Sequence, residues 1–376
     1  MPEHSAGTRT TPFPPNPKGL GRRKLFIQVP CFNEAETLPI ALGALPRQVA
    51  GYDEVRWLVI DDGSTDGTHE VALRCGADYV LRLGHNRGLA QAFTAGLDAA
   101  LKLGADTVVN TDGDNQYDAA YIPALVEPIL ARRAAIVLGA RPVSDIAHFS
   151  RLKKVLQKVG SKVVSIASGL EVPDAPSGFR AMHWTAAIML RTYNRYSYVL
   201  EHLIQAGRNN IPLTSVPVRV NANLRPSRLI RSLPEYLWRS GTTIIRIFTI
   251  NRPLRFFGFL GAALVFAGLL PGLRFLFQFL FVSGGGHIQS LILSAVLLIA
   301  GIVAFAVALL ADLIAANRAL LEHIEHRQRL RELSERSPQE AGSDLLSGGV
   351  LIVAASQGAM TATSKYGTEG TARLNA

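Results

Sequence analysis

Cysteine is scarce: Cys31 and Cys75 are the only two in 376 residues. That is too few for a disulfide scaffold, and it fits a reducing compartment. Charge is scarce too, at 18% against 48% hydrophobic residues. The balance is too apolar for an ordinary cytosolic enzyme and too polar for a many-span transporter, and it points to a soluble domain with a small membrane part. Glycine and proline, at 33 and 20 residues, are ordinary, which excludes collagen-like repeats and disorder throughout. The first 21 residues hold no apolar run of signal-peptide length, and their Pro, Thr and Gly content predicts a disordered tail over residues 1–23. Neither a G-x-x-x-x-G-K-[ST] loop nor a G-x-G-x-x-G turn opening the first helix is present, which argues against the phosphate-loop and dinucleotide folds.

Acidic residues are also in deficit, 29 against 39 Lys and Arg, for a net charge of +10. The excess is concentrated: residues 219–255 contain eight arginines and one acid, Glu235. Nucleic acid attracts such a stretch, but this one leads into an apolar run, so anionic lipid is the expected partner and nucleic acid is not. Residues 256–273 carry no charge, and neither do residues 288–311. A helix needs about 20 apolar residues to cross the hydrocarbon core, so 256–313 is expected to form two transmembrane helices joined at S-G-G-G-H (283–287). Arginines before the first span and after the second put both flanks in the cytoplasm, as in a multi-pass protein of a bacterial inner membrane. Residues 229–255 read as an amphipathic interfacial segment anchored by Tyr236 and Trp238. Residues 314–376 read as a cytoplasmic helical extension and a disordered tail, whose apolar piece 350–355 is too short to span a bilayer.

Between about residues 24 and 228, strand-like and helix-like segments alternate. Strands are expected at 25–29, 56–60, 79–83, 107–110 and 136–138, and helices at 36–45, 67–75, 88–103 and 121–132. This pattern makes a Rossmann-like α/β domain with a largely parallel sheet, whose ligands sit outside the carboxyl ends of the strands. The polar clusters lie there: P-C-F-N-E (30–34), D-D-G-S-T-D-G-T (61–68) and D-G-D-N-Q (112–116). Any one of them reads equally well as a turn leading to a helix N-cap. Three acidic turns on one sheet edge are harder to treat so, because uncompensated carboxylates need a cation or ligand hydroxyls. Asp112, Asp114 and Gln116 offer oxygens at alternate positions, a set suited to Mg²⁺ or Mn²⁺. An EF-hand would want Gly where Tyr117 stands and Glu where Pro123 stands. Two carboxylates leave coordination positions for a diphosphate.

The order P-x-x-N-E, D-D-G-S-T-D-G-T, N-x-G-x-x-x-A (Asn86 to Ala92), D-x-D-x-Q and S-G-F-R (Ser177 to Arg180) resembles the family 2 glycosyltransferases with a GT-A fold, in their dolichol-phosphate mannose synthase and polyprenyl-phosphate glycosyltransferase branch. The resemblance implies that Pro30, Asn33, Glu34, Asp62 and Asp112 line a nucleotide pocket, and that Asp114 and Gln116, with Asp112 beside them, hold the divalent cation. It places Arg180, with Asp174 upstream, near the transferred sugar and acceptor phosphate. Arg225, Ser227 and Arg228, in R-P-S-R-L, resemble an R-x-S-[KR]-[LW] element that contributes phosphate-binding cations. Gly113 stands where the family often has Ala and Asn115 where it often has Leu. The Q-x-x-R-W signature of processive synthases is absent, which favours transfer of a single sugar. Cys31, inside the first motif, reads as a small packing residue. Glu201-His202 reads as a solvated helix face.

The expected reaction is inverting transfer of one hexose from a UDP- or GDP-sugar to an undecaprenyl or dolichyl phosphate. Such an acceptor is already anionic and needs no general base. An acceptor hydroxyl, as on diacylglycerol, would need one, with Asp174 or Glu201 as candidates. A non-catalytic membrane scaffold is the remaining alternative. The membrane helices can serve a homo-oligomer as well as an anchor.

Overall fold

The computed structural model describes residues 21–142, 168–190, 198–221, 253–281, 288–335 and 349–353 continuously, together with 14, 16–19, 160–162, 164–166, 192, 242 and 249. The chain divides into two compact units, 1–228 with 328–376, and 229–327.

In the central strands of the first unit, side chains alternate across the sheet and are buried on both faces. In β1 (Lys24–Cys31), Leu25, Ile27 and Val29 join one buried cluster and Phe26 the other. In β2 (Glu54–Asp61), Trp57 and Val59 likewise oppose Leu58 and Ile60. Such two-sided strands need helices on both faces. The cluster containing Phe26 is closed by α3 (Leu89–Lys102) through Phe93, Leu97 and Leu101. The other is closed by α1 (Leu38–Gly43), α2 (Thr68–Arg74) and α4 (Ile122–Leu130).

Among the described residues the sheet has eight strands in the order β7-β5-β6-β4-β1-β2-β3-β8. Here β3 is Tyr79–Leu83, β4 Thr107–Asn110, β5 Ile136–Ala140, β6 Arg180–His183, β7 Leu213–Pro217 and β8 Gly349–Val353. Pairing is parallel except where β6 runs against β4 and β5, and β8 against β3. The first strand runs two residues beyond its expected end. Pro30 pairs with Ile60 past Gln28, where pairing with β4 stops, so its missing N–H removes no ladder bond. Arg180 of S-G-F-R opens β6, a strand that its short polar sequence did not announce. Two further helices follow, α5 (Trp184–Ala187) and α6 (Tyr198–Arg208).

A few described residues in each expected tail take part in the fold. Asn16 is 2% exposed; its N–H donates to Asp106 Oδ1 at 2.8 Å and its amide to the Ala105 carbonyl at 2.8 Å. Trp184 Nε1 donates to the Pro14 carbonyl. This N-terminal stretch is therefore held by side-chain hydrogen bonds that no periodicity reveals. Near the C-terminus, the apolar run that is too short for a bilayer is long enough for a strand, and Gly349–Val353 completes the sheet beside β3.

The second unit contains α7 (Pro253–Phe281, 29 residues) and most of α8 (Ile288–Glu335, 48 residues). At about 1.5 Å per residue both exceed the ~30 Å of a hydrocarbon core. Small residues line the seam between them: Ser294 Oγ donates to the Gly268 carbonyl at 2.7 Å, and Gly261 lies against the Gly301 carbonyl. Phe259, Phe266, Leu273, Ile299 and Ile302 are exposed, an arrangement suited to lipid outside and close backbone contact inside. Except for 242 and 249, residues 229–252 of the expected interfacial segment lie outside the described residues.

Candidate active site

The carboxyl ends of β1, β2 and β4 carry the three acidic turns, and hydrogen bonds join them. Asn33, with φ 53°, donates its N–H to Ser64 Oγ at 2.9 Å and accepts Thr65 N–H on Oδ1 at 2.9 Å. Left-handed backbone suits Asn better than most residues. Glu34 N–H donates to Thr68 Oγ1 at 3.0 Å, and Glu34 Oε2 accepts from Thr37 Oγ1 at 2.8 Å. Thr37 Oγ1 also reaches the Gly113 carbonyl at 3.2 Å, tying the first motif to the third. Pro30 is buried at the end of β1.

Asp62 is buried, and its two oxygens accept the N–H groups of Arg87 and Gly88, each at 2.8 Å. Burial pushes its pKa up against the pull of those amides. The carboxylate thus holds the N-x-G turn against the second motif. Gly63 completes the joint: at φ +74° a side chain is disfavoured, and a Cβ would stand 2.6 Å from the His85 carbonyl carbon.

Asp112 and Asp114 follow β4, both half-buried. Gln116, half-buried two residues on, donates its N–H to Asp114 Oδ1 at 3.2 Å. Burial, followed by repulsion from Asp114, pushes Asp112 up to about 7, against the pull of Arg141 and Arg180. Among the described residues no three His, Cys, Asp or Glu side chains form a preformed metal cage. The two repelling carboxylates, with Gln116 next in the same turn, are a donor set of the kind that suits a hard cation.

Cys31 and Gly113 explain each other. A Cβ on Gly113 would lie 2.8 Å from Cys31 Sγ, so the larger residue in β1 takes the space that an alanine between the two aspartates would fill. Burial, then Glu34, raises the Cys31 pKa, so the thiol stays neutral and packs. Gly113→Ala alone is expected to lower activity about tenfold by displacing the two aspartates, and Cys31→Ala in the same chain to restore it. Equal loss in both would refute the packing account, as read by transfer rates of the single and double variants.

The S-G-F-R segment meets D-x-D directly. A Cβ on Gly178 would lie 3.4 Å from Asp112 Oδ1. Gly178 is pinned by its N–H to Tyr117 Oη at 3.1 Å and by Asn110 Nδ2 to its carbonyl at 3.0 Å, while Ser177 Oγ donates to the Gly139 carbonyl at 2.6 Å. Arg180 is 1% exposed. Its Nη2 donates to the Ser177 carbonyl at 2.8 Å and its guanidinium carbon lies 5.4 Å from the Tyr198 ring centre, while Nε has no hydrogen-bond partner among the described residues.

Asp174, 1% exposed, is held by a residue the sequence reading missed. Arg141 reaches it from the end of β5, Nε to Oδ2 at 2.7 Å and Nη2 to Oδ1 at 3.0 Å. Burial opposes the charge of Arg141, but Tyr117, Asp174 and Asp112 outweigh it and its pKa lies above the usual value. The signal was available: Arg141 follows an apolar strand at the same sheet edge as the other motifs. His202 is not on a solvated face. It is 2% exposed, packed on Phe93 and Tyr198, with Nε2 3.0 Å from Thr192 Oγ1. Arg225, Ser227 and Arg228 lie outside the described residues.

Residues 26–187 match the family described as Glycosyl transferase family 2. An uncharacterized glycosyltransferase of Mycobacterium bovis is 37% identical over 184 residues, 48% of this chain and 78% of that one. The chain belongs to glycosyl transferase family 2. It has a GT-A-like α/β fold with a mostly parallel sheet, and this glycosyltransferase has further named relatives. An undecaprenyl-phosphate mannosyltransferase of Micrococcus luteus is 34% identical over 164 residues, 42% of this chain and 65% of that protein. A UDP-N-acetylglucosamine--dolichyl-phosphate N-acetylglucosaminyltransferase of Methanococcus voltae is 27% identical over 223 residues, 53% and 86% of the two chains.

Proposed function

We propose that this glycosyltransferase moves one hexose from a UDP- or GDP-sugar to a polyprenyl phosphate, with inversion, on the cytoplasmic face of a membrane that its two apolar helices cross. The observation that carries the reading is the Arg141–Asp174 pair. Asp174, one of the two carboxylates considered as a base for an acceptor hydroxyl, is committed to both arms of a guanidinium, so an acceptor that arrives already ionised fits better than diacylglycerol. Relatives named for undecaprenyl and dolichyl phosphate acceptors, with different sugars, support the acceptor class and leave the donor open. Family membership sets the scaffold alternative aside.

In this reading Pro30, Asn33, Glu34, Asp62 and Asp112 shape the nucleotide pocket, and Asp112, Asp114 and Gln116 would hold Mg²⁺ or Mn²⁺. A bound divalent ion would supply charge stabilisation to the departing nucleoside diphosphate. Arg180, with Arg225, Ser227 and Arg228, brings the acceptor phosphate towards the donor against the repulsion of two anions. The phosphate oxygen bonds to the anomeric carbon from the face opposite the diphosphate, whose oxygen leaves with the bond's electron pair. The apolar helices suit an acceptor whose tail stays in the bilayer.

The test uses full-length protein in detergent, Mn²⁺ or Mg²⁺, undecaprenyl phosphate and radiolabelled nucleotide sugars. Label in the lipid phase that mild acid releases supports the glycosyl phosphate. Acid-stable label would replace it with a glycolipid product.

Ion binding should depend on pH. Asp112 must lose its proton to ligate, and its folded-state pKa of about 7 places that loss in reach. Mn²⁺ affinity is expected to be level above pH 7 and to fall about tenfold per unit below it. Calorimetry at pH 6 and pH 8 checks this, and equal affinities would refute it.

A further inference from the structure

The edge strand β3 ends at Leu83, and the chain there enters residues 84–88, whose Arg87 and Gly88 amides Asp62 holds and on whose backbone Gly63 rests. All five residues of β3 pair with β8, Gly349 opposite Leu83 at the root of this loop and Val353 opposite Tyr79. The C-terminal end of α8 attaches separately. Leu333 is 6% exposed within the buried cluster that contains Leu81 and Leu83, and Leu330 packs against that cluster. A backbone ladder thus brings residues 349–353 to β3, and a hydrophobic anchor holds the end of α8 on the buried cluster to which β3 contributes.

A sheet edge is a ready acceptor for an added strand. A five-residue terminal strand on such an edge belongs to the part of a fold that opens at least cost. Before it docks, β3 would be the sheet's border and the 84–88 loop would follow a strand paired on one side only, with β2. Once it docks, the ladder reaches the last residue before that loop. We propose that β8 is a detachable strap that binds the β3 edge in cis and, through β3, holds the 84–88 loop and Asp62 in the conformation that binds the donor nucleotide. The segment after the apolar helices thereby sets donor affinity. This rests on the reading of that pocket as nucleotide-binding; the docking itself does not.

The test compares full-length protein in detergent with three variants: a stop after Ser347, which removes β8; a stop after Ala354, which keeps it; and Leu351→Pro with Ile352→Pro. Adjacent strand residues point their N–H groups to opposite sides, so the paired prolines remove a ladder donor whichever side faces β3. Hydrogen exchange at residues 79–83 and 84–88 is expected to quicken about tenfold or more in the Ser347 stop and the proline variant. UDP or GDP, whichever the full-length protein binds, is expected to lose about three- to tenfold in affinity in both, and the Ala354 stop to match full-length protein in every respect. Unchanged exchange in β3 would overturn the docking. Faster exchange with unchanged nucleotide affinity would overturn the coupling. Failure of the full-length protein to bind either nucleotide would sink the donor reading and the coupling together, while exchange in β3 still decides whether the strap docks.

Discussion

Asp114→Ala is expected to lower the transfer rate by about 10³-fold or more, near 4 kcal/mol of lost transition-state stabilisation. Among the described residues the Asp114 side chain accepts one hydrogen bond, from Gln116 N–H at 3.2 Å, worth about 1 kcal/mol to the turn. Loss of that bond cannot unfold a domain whose two hydrophobic clusters lie elsewhere. Loss of the charge removes half of the carboxylate pair that would hold a cation against the leaving diphosphate. Asp114→Asn separates the two, since it keeps an acceptor for Gln116 and gives up the charge. Both variants should melt near the parent temperature and both should be inactive. An active Asn variant would remove the ion from the proposed chemistry.

Arg141→Ala is expected to cost about 3–5 kcal/mol of stability, because it leaves Asp174 as a buried carboxylate without its guanidinium. The Arg141 and Asp174 side chains are only 10% and 1% exposed, so solvent cannot replace the lost partner. The Arg141 N–H, 3.1 Å from Asp174 Oδ2, survives the substitution and keeps the cost from rising further. Replacing both, Arg141→Met with Asp174→Leu, should recover much of the stability while leaving transfer low. Melting curves of the single and double variants in detergent check the first half, and transfer rates the second. A double variant as unstable as the single one would show that the pair is not what Arg141 supplies.

The sheet was legible because its strands are short apolar runs between helices of ordinary period. β3 and β4 keep their expected bounds, and α2, α3 and α4 differ by one or two residues at each end. The acidic turns were legible because Asp and Gly cluster at strand ends. What the sequence concealed was pairing across long separations. Arg141 and Asp174 lie 33 residues apart, and Asn16 and Asp106 lie 90 apart. Antiparallel β6 escaped because Arg180 and His183 break the apolar run. β8 escaped because composition places it in a polar tail, while the edge that accepts it belongs to a strand more than 260 residues earlier. His202 was misread because helix α6 buries most of its residues, so the pattern of one polar face failed there.

The bonds among Asn33, Ser64 and Thr65, between Asp62 and the 87–88 amides, and from Thr37 to Gly113 make the donor-side turns a single cross-linked body. Such a body opens as one cooperative unit or stays shut. It cannot change shape by swinging one turn aside. Changes at this site must therefore come from exchanging side chains hung on a fixed frame, and a substitution that moves one turn strains the neighbour it is bonded to.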